Sequence, residues 1–157
     1  MIRKAKINDV PQIQKILAHF AKEGKLLARS LSELYTNIRD TFVSLDPATG
    51  QVTGCCSLHV IWENLAEIRS LAVLPQHQGG GIGRNLVKTC VDEARDLGIG
   101  RLFVLTYETD FFAHQGFTQV DKNIFPQKIW ADCLHCPKFP DCDEVAMVLD
   151  LDLTATE

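Results

Sequence analysis

The residues best equipped for chemistry lie between Glu67 and Arg84, in the run Glu67-Ile68-Arg69-Ser70-Leu71-Ala72-Val73 followed by Leu74-Pro75-Gln76-His77-Gln78-Gly79-Gly80-Gly81-Ile82-Gly83-Arg84. Glycines that open a helix let backbone N–H groups approach an anion closely, and the helix dipole adds partial positive charge at the same end. Gln78-x-x-Gly81-x-Gly83, continued by Arg84, is therefore read as a phosphate cradle. It is not a Walker loop, because Arg84-Asn85 stands where Lys-Ser/Thr is needed, and not a dinucleotide fingerprint, because Leu86 takes the third glycine's place. Upstream, Glu67 is a carboxylate whose pKa partial burial would raise. The same carboxylate also reads as an ion-pair partner of Arg69.

The elements that position these groups follow from periodicity. A strand-like run from Ala66 to Val73 meets Pro75 and the glycines, and a helix follows with Leu86, Val87, Cys90, Val91 and Ala94 on one face, ending at Gly98-Ile99-Gly100. Before it, Ile2 to Ala5 reads as an edge strand. Asn8-Asp9-Val10-Pro11 offers caps and a first-turn proline for a helix carrying Val10, Ile13, Ile16, Leu17 and Phe20 up to Gly24. Ser30-Leu31-Ser32-Glu33 is a capping box for a second helix. Thr41 to Leu45 and Val52 to Trp62 form a hairpin around Asp46-Pro47-Ala48-Thr49-Gly50, and Glu63-Asn64 turns into the central strand. Arg101 to Thr106 is a nearly continuous apolar run, hence a buried strand. Phe111 to Gly116 is a short helix leading into another strand, and Val145 to Leu149 is the last strand. Strand, helix, strand implies a parallel crossover beside antiparallel hairpins, so the fold class is α/β, a mixed sheet with helices on both faces.

Composition narrows the function classes. A chain of 157 residues, 46% hydrophobic and 23% charged, fits one soluble globular domain spanning 1–157. A net charge of −4 with no Lys/Arg-rich block argues against nucleic acid. With no apolar run of membrane length and no signal-like N-terminus, a cytoplasmic location without a membrane partner is expected. Cys55, Cys56 and Cys90 read as small core residues.

Gln78 to Gly83 after the Glu67–Val73 strand, with Phe111-Phe112-x-x-x-Gly116-Phe117 downstream, resembles the acetyl-coenzyme A loop and terminal element of the GNAT acyltransferase superfamily. The resemblance implies that the backbone of Leu71, Ala72 and Val73 pairs with the pantetheine arm of acetyl-CoA. Gln78, Gly79, Gly80, Gly81, Ile82, Gly83 and Arg84 would hold the pyrophosphate, and the N–H of Leu71 or Ala72 would lie near the thioester oxygen. Glu67 occupies the position where several members keep a general base. The tyrosine often used as thiolate acid falls at Phe112, which has no proton to donate. Tyr107 and Thr106 are the nearby substitutes, and Tyr107 is taken as the candidate.

Leu27-Ala28-Arg29-Ser30, Glu67 to Val73, Phe103 to Thr106, and the tail from Phe125-Pro126-Gln127-Lys128-Ile129-Trp130 to Glu144 resemble one branch of that superfamily, the short bacterial N-acetylglutamate synthases. That likeness implies acetyl transfer to the α-amine of L-glutamate, the first step of arginine biosynthesis. Glutamate carries two carboxylates, and Arg29, Arg69 and Lys128 are three candidate cations for them, with Ser30 and Ser70 as added hydrogen-bond donors. Alone, Arg29 and Lys128 also read as solvated surface residues. The alternatives kept open are a GNAT enzyme for another small amine or a protein lysine, and a non-catalytic acyl-CoA-binding module. A homodimer is compatible with all of these. Cys133-x-x-Cys136 with His135 and Cys142 has enough ligands for zinc, but His135 lies between the first two cysteines, so no metal is expected.

Overall fold

Pairing begins at the N-terminus, where β1 (Ile2–Lys4) lies antiparallel to β2 (Thr41–Leu45), and β2 antiparallel to β3 (Val52–Trp62). β3 turns at Glu63-Asn64 into β4 (Leu65–Val73). α3 (Ile82–Leu97) then crosses to β5 (Arg101–Thr106), parallel to β4 in the register Ala66–Leu102 and Glu67–Phe103. β5 pairs antiparallel with β7 (Val145–Asp150), and β7 with β6 (Thr118–Val120). The seven strands hydrogen-bond in the order β1-β2-β3-β4-β5-β7-β6, the mixed sheet expected from the sequence. This computed structural model describes residues 1–125 and 144–153. The chain forms two compact units, Met1–His59 with Ile68–Glu93, and Val60–Glu67 with Ala94–Glu157.

In the first unit, α1 (Val10–Lys22) buries Val10, Ile13, Ile16, Leu17 and Phe20 against Val43, Val52, Cys55 and Ala72. Each such side chain contributes about 1.5–3 kcal/mol by leaving water, so this one face outweighs any cap at the helix ends. One detail departs from expectation. Asp9 makes no side-chain cap on α1; its buried carboxylate takes the Arg3 fork at 2.7 and 3.2 Å and the Lys6 N–H at 2.7 Å. A short acid just before a helix has the same sequence signature in either role, and here a partly buried cation outcompetes the helix N–H groups. Ser30 does cap α2 (Leu31–Thr36), accepting from the Glu33 N–H at 3.1 Å.

Consecutive β3 residues face different helices. Cys55 belongs to the α1 cluster, whereas Cys56 Sγ lies 3.7 Å from Cys90 Sγ on α3, and all three thiols are buried and free. Gly54 shares the α3 side and leaves room there, since a Cβ would lie 2.9 Å from the Ala72 carbonyl and 3.3 Å from Leu86 Cδ1. Any larger residue would push this backbone apart. Helices thus cover both faces of β3, as the sequence pattern implied.

In the second unit, Leu65, Phe103, Phe125, Ala146 and Val148 form the core, with the Phe103 and Phe125 rings 4.6 Å apart. α4 (Thr109–His114) inserts Phe112 beside Phe117 at 5.3 Å. Gly98, at φ +84°, ends α3 by donating to the Arg95 carbonyl at 3.0 Å, while Ile99 N–H reaches the Ala94 carbonyl at 2.9 Å. That is the left-handed stop at which glycine avoids the Cβ penalty.

Candidate active site

β4 is irregular at the point where the sequence places a cofactor. Ser70 adopts φ +56°, alone in the left-handed region among the described non-glycine residues. Such a conformation costs on the order of 1–3 kcal/mol unless its surroundings hold it. Here the Cys55 thiol donates to the Ser70 carbonyl at 3.3 Å. Burial pushes the Cys55 thiol up to about 12, with a backbone hydrogen bond from Ala72 partly offsetting the rise, so it remains a protonated donor at neutral pH. Nothing in the sequence marked this kink: serine carries no left-handed preference of the kind that glycine or asparagine signals.

After β4, Leu74 N–H returns to the Thr53 carbonyl at 2.9 Å, and a 3-10 turn at Pro75–His77 leads into the glycines. Gln78 is exposed, and its side-chain Nε2 donates to the Val73 carbonyl at 2.9 Å, so its amide stitches the strand end to the loop. Gly79 (φ +88°) and Gly81 (φ +85°) are left-handed, which fixes why these positions are glycine. The Asn85 N–H bonds the Gly81 carbonyl at 3.0 Å, so the N–H groups of Ile82, Gly83 and Arg84 form the first turn and have no acceptor within the helix. Arg84 is exposed, and its Nη2 lies 4.0 Å from where a Gly81 Cβ would be, which brings a cation to the glycine end of the helix. Backbone donors, a helix N-terminus and a guanidinium are together of the chemistry that can receive an anion.

The side-chain candidates are distributed more widely. Glu67 is half-buried in β4 opposite Phe103, and Arg69, half-buried, shares its strand; the buried Ile68 between them points the other way. Arg29 precedes α2 and pairs with Glu33 (Nη1 to Oε2, 3.2 Å), its side chain only 12% exposed, against the solvated alternative. The Ser30 hydroxyl is already engaged as the α2 cap. Tyr107 is exposed at the end of β5, whereas Thr106 is buried and its hydroxyl accepts the Glu108 N–H at 2.8 Å. Phe112 is 3% exposed between Phe111 and Phe117, a packing residue in the place where the superfamily often keeps tyrosine. Lys128 and the cysteines at 133, 136 and 142 lie outside the described residues.

The pattern of the acetyltransferase (GNAT) family matches residues 13–117. The chain belongs to the GNAT family. An uncharacterized N-acetyltransferase of Chlorobaculum tepidum is 43% identical over 150 residues, covering 96% of both chains. The amino-acid acetyltransferase of Mycobacterium tuberculosis is 43% identical over 123 residues, 77% of this GNAT chain and 70% of that protein. Among solved structures, N-acetylglutamate synthase from Neisseria gonorrhoeae, complexed with coenzyme A and N-acetyl-glutamate, superposes with a TM-score of 0.87 at 30% identity. That match covers 97% of this chain and 35% of the synthase. A Mycobacterium tuberculosis protein in complex with CoA gives a TM-score of 0.83 at 34% identity, covering 97% and 99%.

Proposed function

We propose that this GNAT chain transfers acetyl from acetyl-CoA to the α-amine of L-glutamate, the entry to arginine biosynthesis, and that both units act as one domain spanning residues 1–157. What carries the reading is the loop of Gly79 and Gly81 running into α3 beside Arg84, an anion site of the right kind for a CoA pyrophosphate. The likeness to a synthase solved with coenzyme A and N-acetyl-glutamate supports the acceptor.

In this reading, Leu71, Ala72 and Val73 offer backbone to the pantetheine arm, and Gln78 to Arg84 hold the pyrophosphate. Glu67 accepts a proton from the substrate ammonium, directly or through water. The neutral amine forms a C–N bond at the thioester carbon, and the oxygen that gains charge accepts from a β4 N–H. The C–S bond then breaks, the thiolate takes a proton for which Tyr107 is the proposed donor, and the second proton leaving the nitrogen returns to the Tyr107 oxygen through water. Arg29, Arg69 and Lys128 bind the two carboxylates, with Ser30 and Ser70 beside them. A lysine side chain brought to the same cations would be repelled, which favours an acidic acceptor.

The test is release of free CoA from acetyl-CoA with each amino acid in turn. Turnover with glutamate above the others is expected. Release with other amines but not glutamate would overturn the substrate. Acetyl-CoA binding without release for any acceptor would overturn the enzyme reading.

A further inference from the structure

The thioester oxygen needs a donor, and two adjacent N–H groups compete for that role, those of Leu71 and Ala72. In a planar trans peptide the carbonyl and the following N–H point in opposite directions. The Ser70 carbonyl points at the Cys55 thiol, which lies in the core cluster beneath α1. The Leu71 N–H must therefore point away from that cluster, to the opposite side of β4. Ser70 holds this orientation at a left-handed φ of +56°. A buried donor on its carbonyl is what offsets the conformational cost.

The Ala72 backbone acts on the same sulfur, offsetting part of the rise that burial gives its pKa, so one sulfur atom faces the groups on both sides of Leu71. Cys55 is 1% exposed and far too enclosed to act as a nucleophile, so the direct amine attack proposed above gives it no covalent role.

We propose that Cys55 is a positioning residue: its thiol holds the Ser70–Leu71 peptide turned out of the strand's regular course, which assigns the Leu71 N–H, and not that of Ala72, as the oxyanion donor. The inference rests on the acetyl-transfer reading above and names one further residue for it. Hydrophobic burial alone does not explain a cysteine here, because valine or alanine would fill the cluster without donating to Ser70.

Cys56 supplies the matched control. It is equally buried on the same strand, but its sulfur meets Cys90 on α3. Steady-state kinetics and thermal unfolding are compared for wild type, Cys55→Ala, Cys55→Ser and Cys56→Ala. Cys55→Ala is expected to lower kcat about tenfold or more, below the 10²–10³ of deleting an oxyanion donor outright, with the KM for acetyl-CoA changed less than about twofold. Cys55→Ser, which restores a donor, should recover part of kcat. Cys56→Ala should lose similar thermal stability with kcat near wild type. Equal kcat in the two alanine variants would overturn the proposal. The Leu71 amide supplies a readout independent of turnover. In Cys55→Ala its ¹H–¹⁵N resonance should shift and Ser70 should leave positive φ in a crystal structure. Wild type inactive with every acceptor would sink the acetyl-transfer reading alone, and the amide result would then decide the role of Cys55. A Ser70 that keeps its left-handed φ without the thiol would refute that role.

Discussion

The two halves of the candidate site are built from different materials. In the proposed reading, the loop from Gln78 to Arg84 would act mainly through backbone, with left-handed glycines, a helix start and one guanidinium. The proposed acceptor half would depend on side chains, Glu67 and Arg69 on β4 and Arg29 before α2, each half-buried. Backbone recognition leaves its mark in glycine spacing and suits a cofactor common to a whole family. Side-chain recognition leaves only isolated charged residues, each with an ordinary surface reading, and it is there that a family member's substrate is set. The same contrast recurs within β4, where a regular parallel register at Glu67 gives way to a kink at Ser70 held by a side chain from β3.

Substitutions should separate the two halves. The largest effect is expected from Glu67→Gln, which keeps the shape and removes the base. Loss of general-base catalysis should lower kcat about 10²–10⁴-fold with acetyl-CoA binding preserved, and the remaining rate should rise with pH as free amine accumulates. A kcat within about threefold of wild type would transfer the base to another group.

Arg29→Ala comes next. A hydrogen bond to a charged group contributes about 1.5–3 kcal/mol, so the glutamate KM should rise about 10- to 100-fold while the acetyl-CoA KM stays put. Should both KM values rise together, the division between the halves fails.

Gly81→Ala tests the backbone half and should do the reverse. At φ +85°, an alanine meets no neighbour closer than Arg84 Nη2 at 4.0 Å, so its cost is conformational, about 1–2 kcal/mol. The acetyl-CoA KM should rise about fivefold to thirtyfold with the glutamate KM unchanged. Gly80→Ala, with no positive φ and open space around its Cβ, should be milder.

The smallest effect lies outside both halves, at Asp9. Burial alone would raise this carboxyl, but the Arg3 fork and the Lys6 N–H outweigh it and hold it below the usual value. A depressed folded pKa means the unfolded chain takes up the proton first. The stabilisation is therefore present above about pH 4, the unfolded value, and is lost as pH falls through the folded one. Unfolding midpoints of Asp9→Asn should lie below wild type at neutral pH and converge with it in acid, with kcat at neutral pH unaffected. Curves that stay parallel in acid would reject the linkage.

Much of the architecture was legible because periodicity and capping are local. The apolar face of α1, the Ser30–Glu33 box, the β2–β3 hairpin and the crossover through α3 all follow from residues within one or two turns of each other. What escaped depends on partners distant in sequence. Asp9 looked like a helix cap because Arg3, arriving along β1, could not be placed beside it. Ser70 gave no sign of its kink because the donor that stabilises it lies fifteen residues earlier on another strand. Arg29, read without the family resemblance, was as compatible with a solvated loop, because its 12% exposure is a product of folding, not of its flanking sequence.

The most direct test of the central claim compares kcat/KM for glutamate with that for glutamine, in wild type and in Arg29→Ala. Glutamine keeps the amine, the α-carboxylate and the length, and removes only the second charge. A cationic acceptor pocket predicts a wild-type preference for glutamate of about tenfold or more, on the scale of one charge-assisted hydrogen bond. It also predicts that the preference collapses in Arg29→Ala if that residue reads the side-chain carboxylate, or survives with both KM values raised if it reads the α-carboxylate. Equal turnover of glutamate and glutamine by the wild type would contradict the assignment of glutamate as the acceptor.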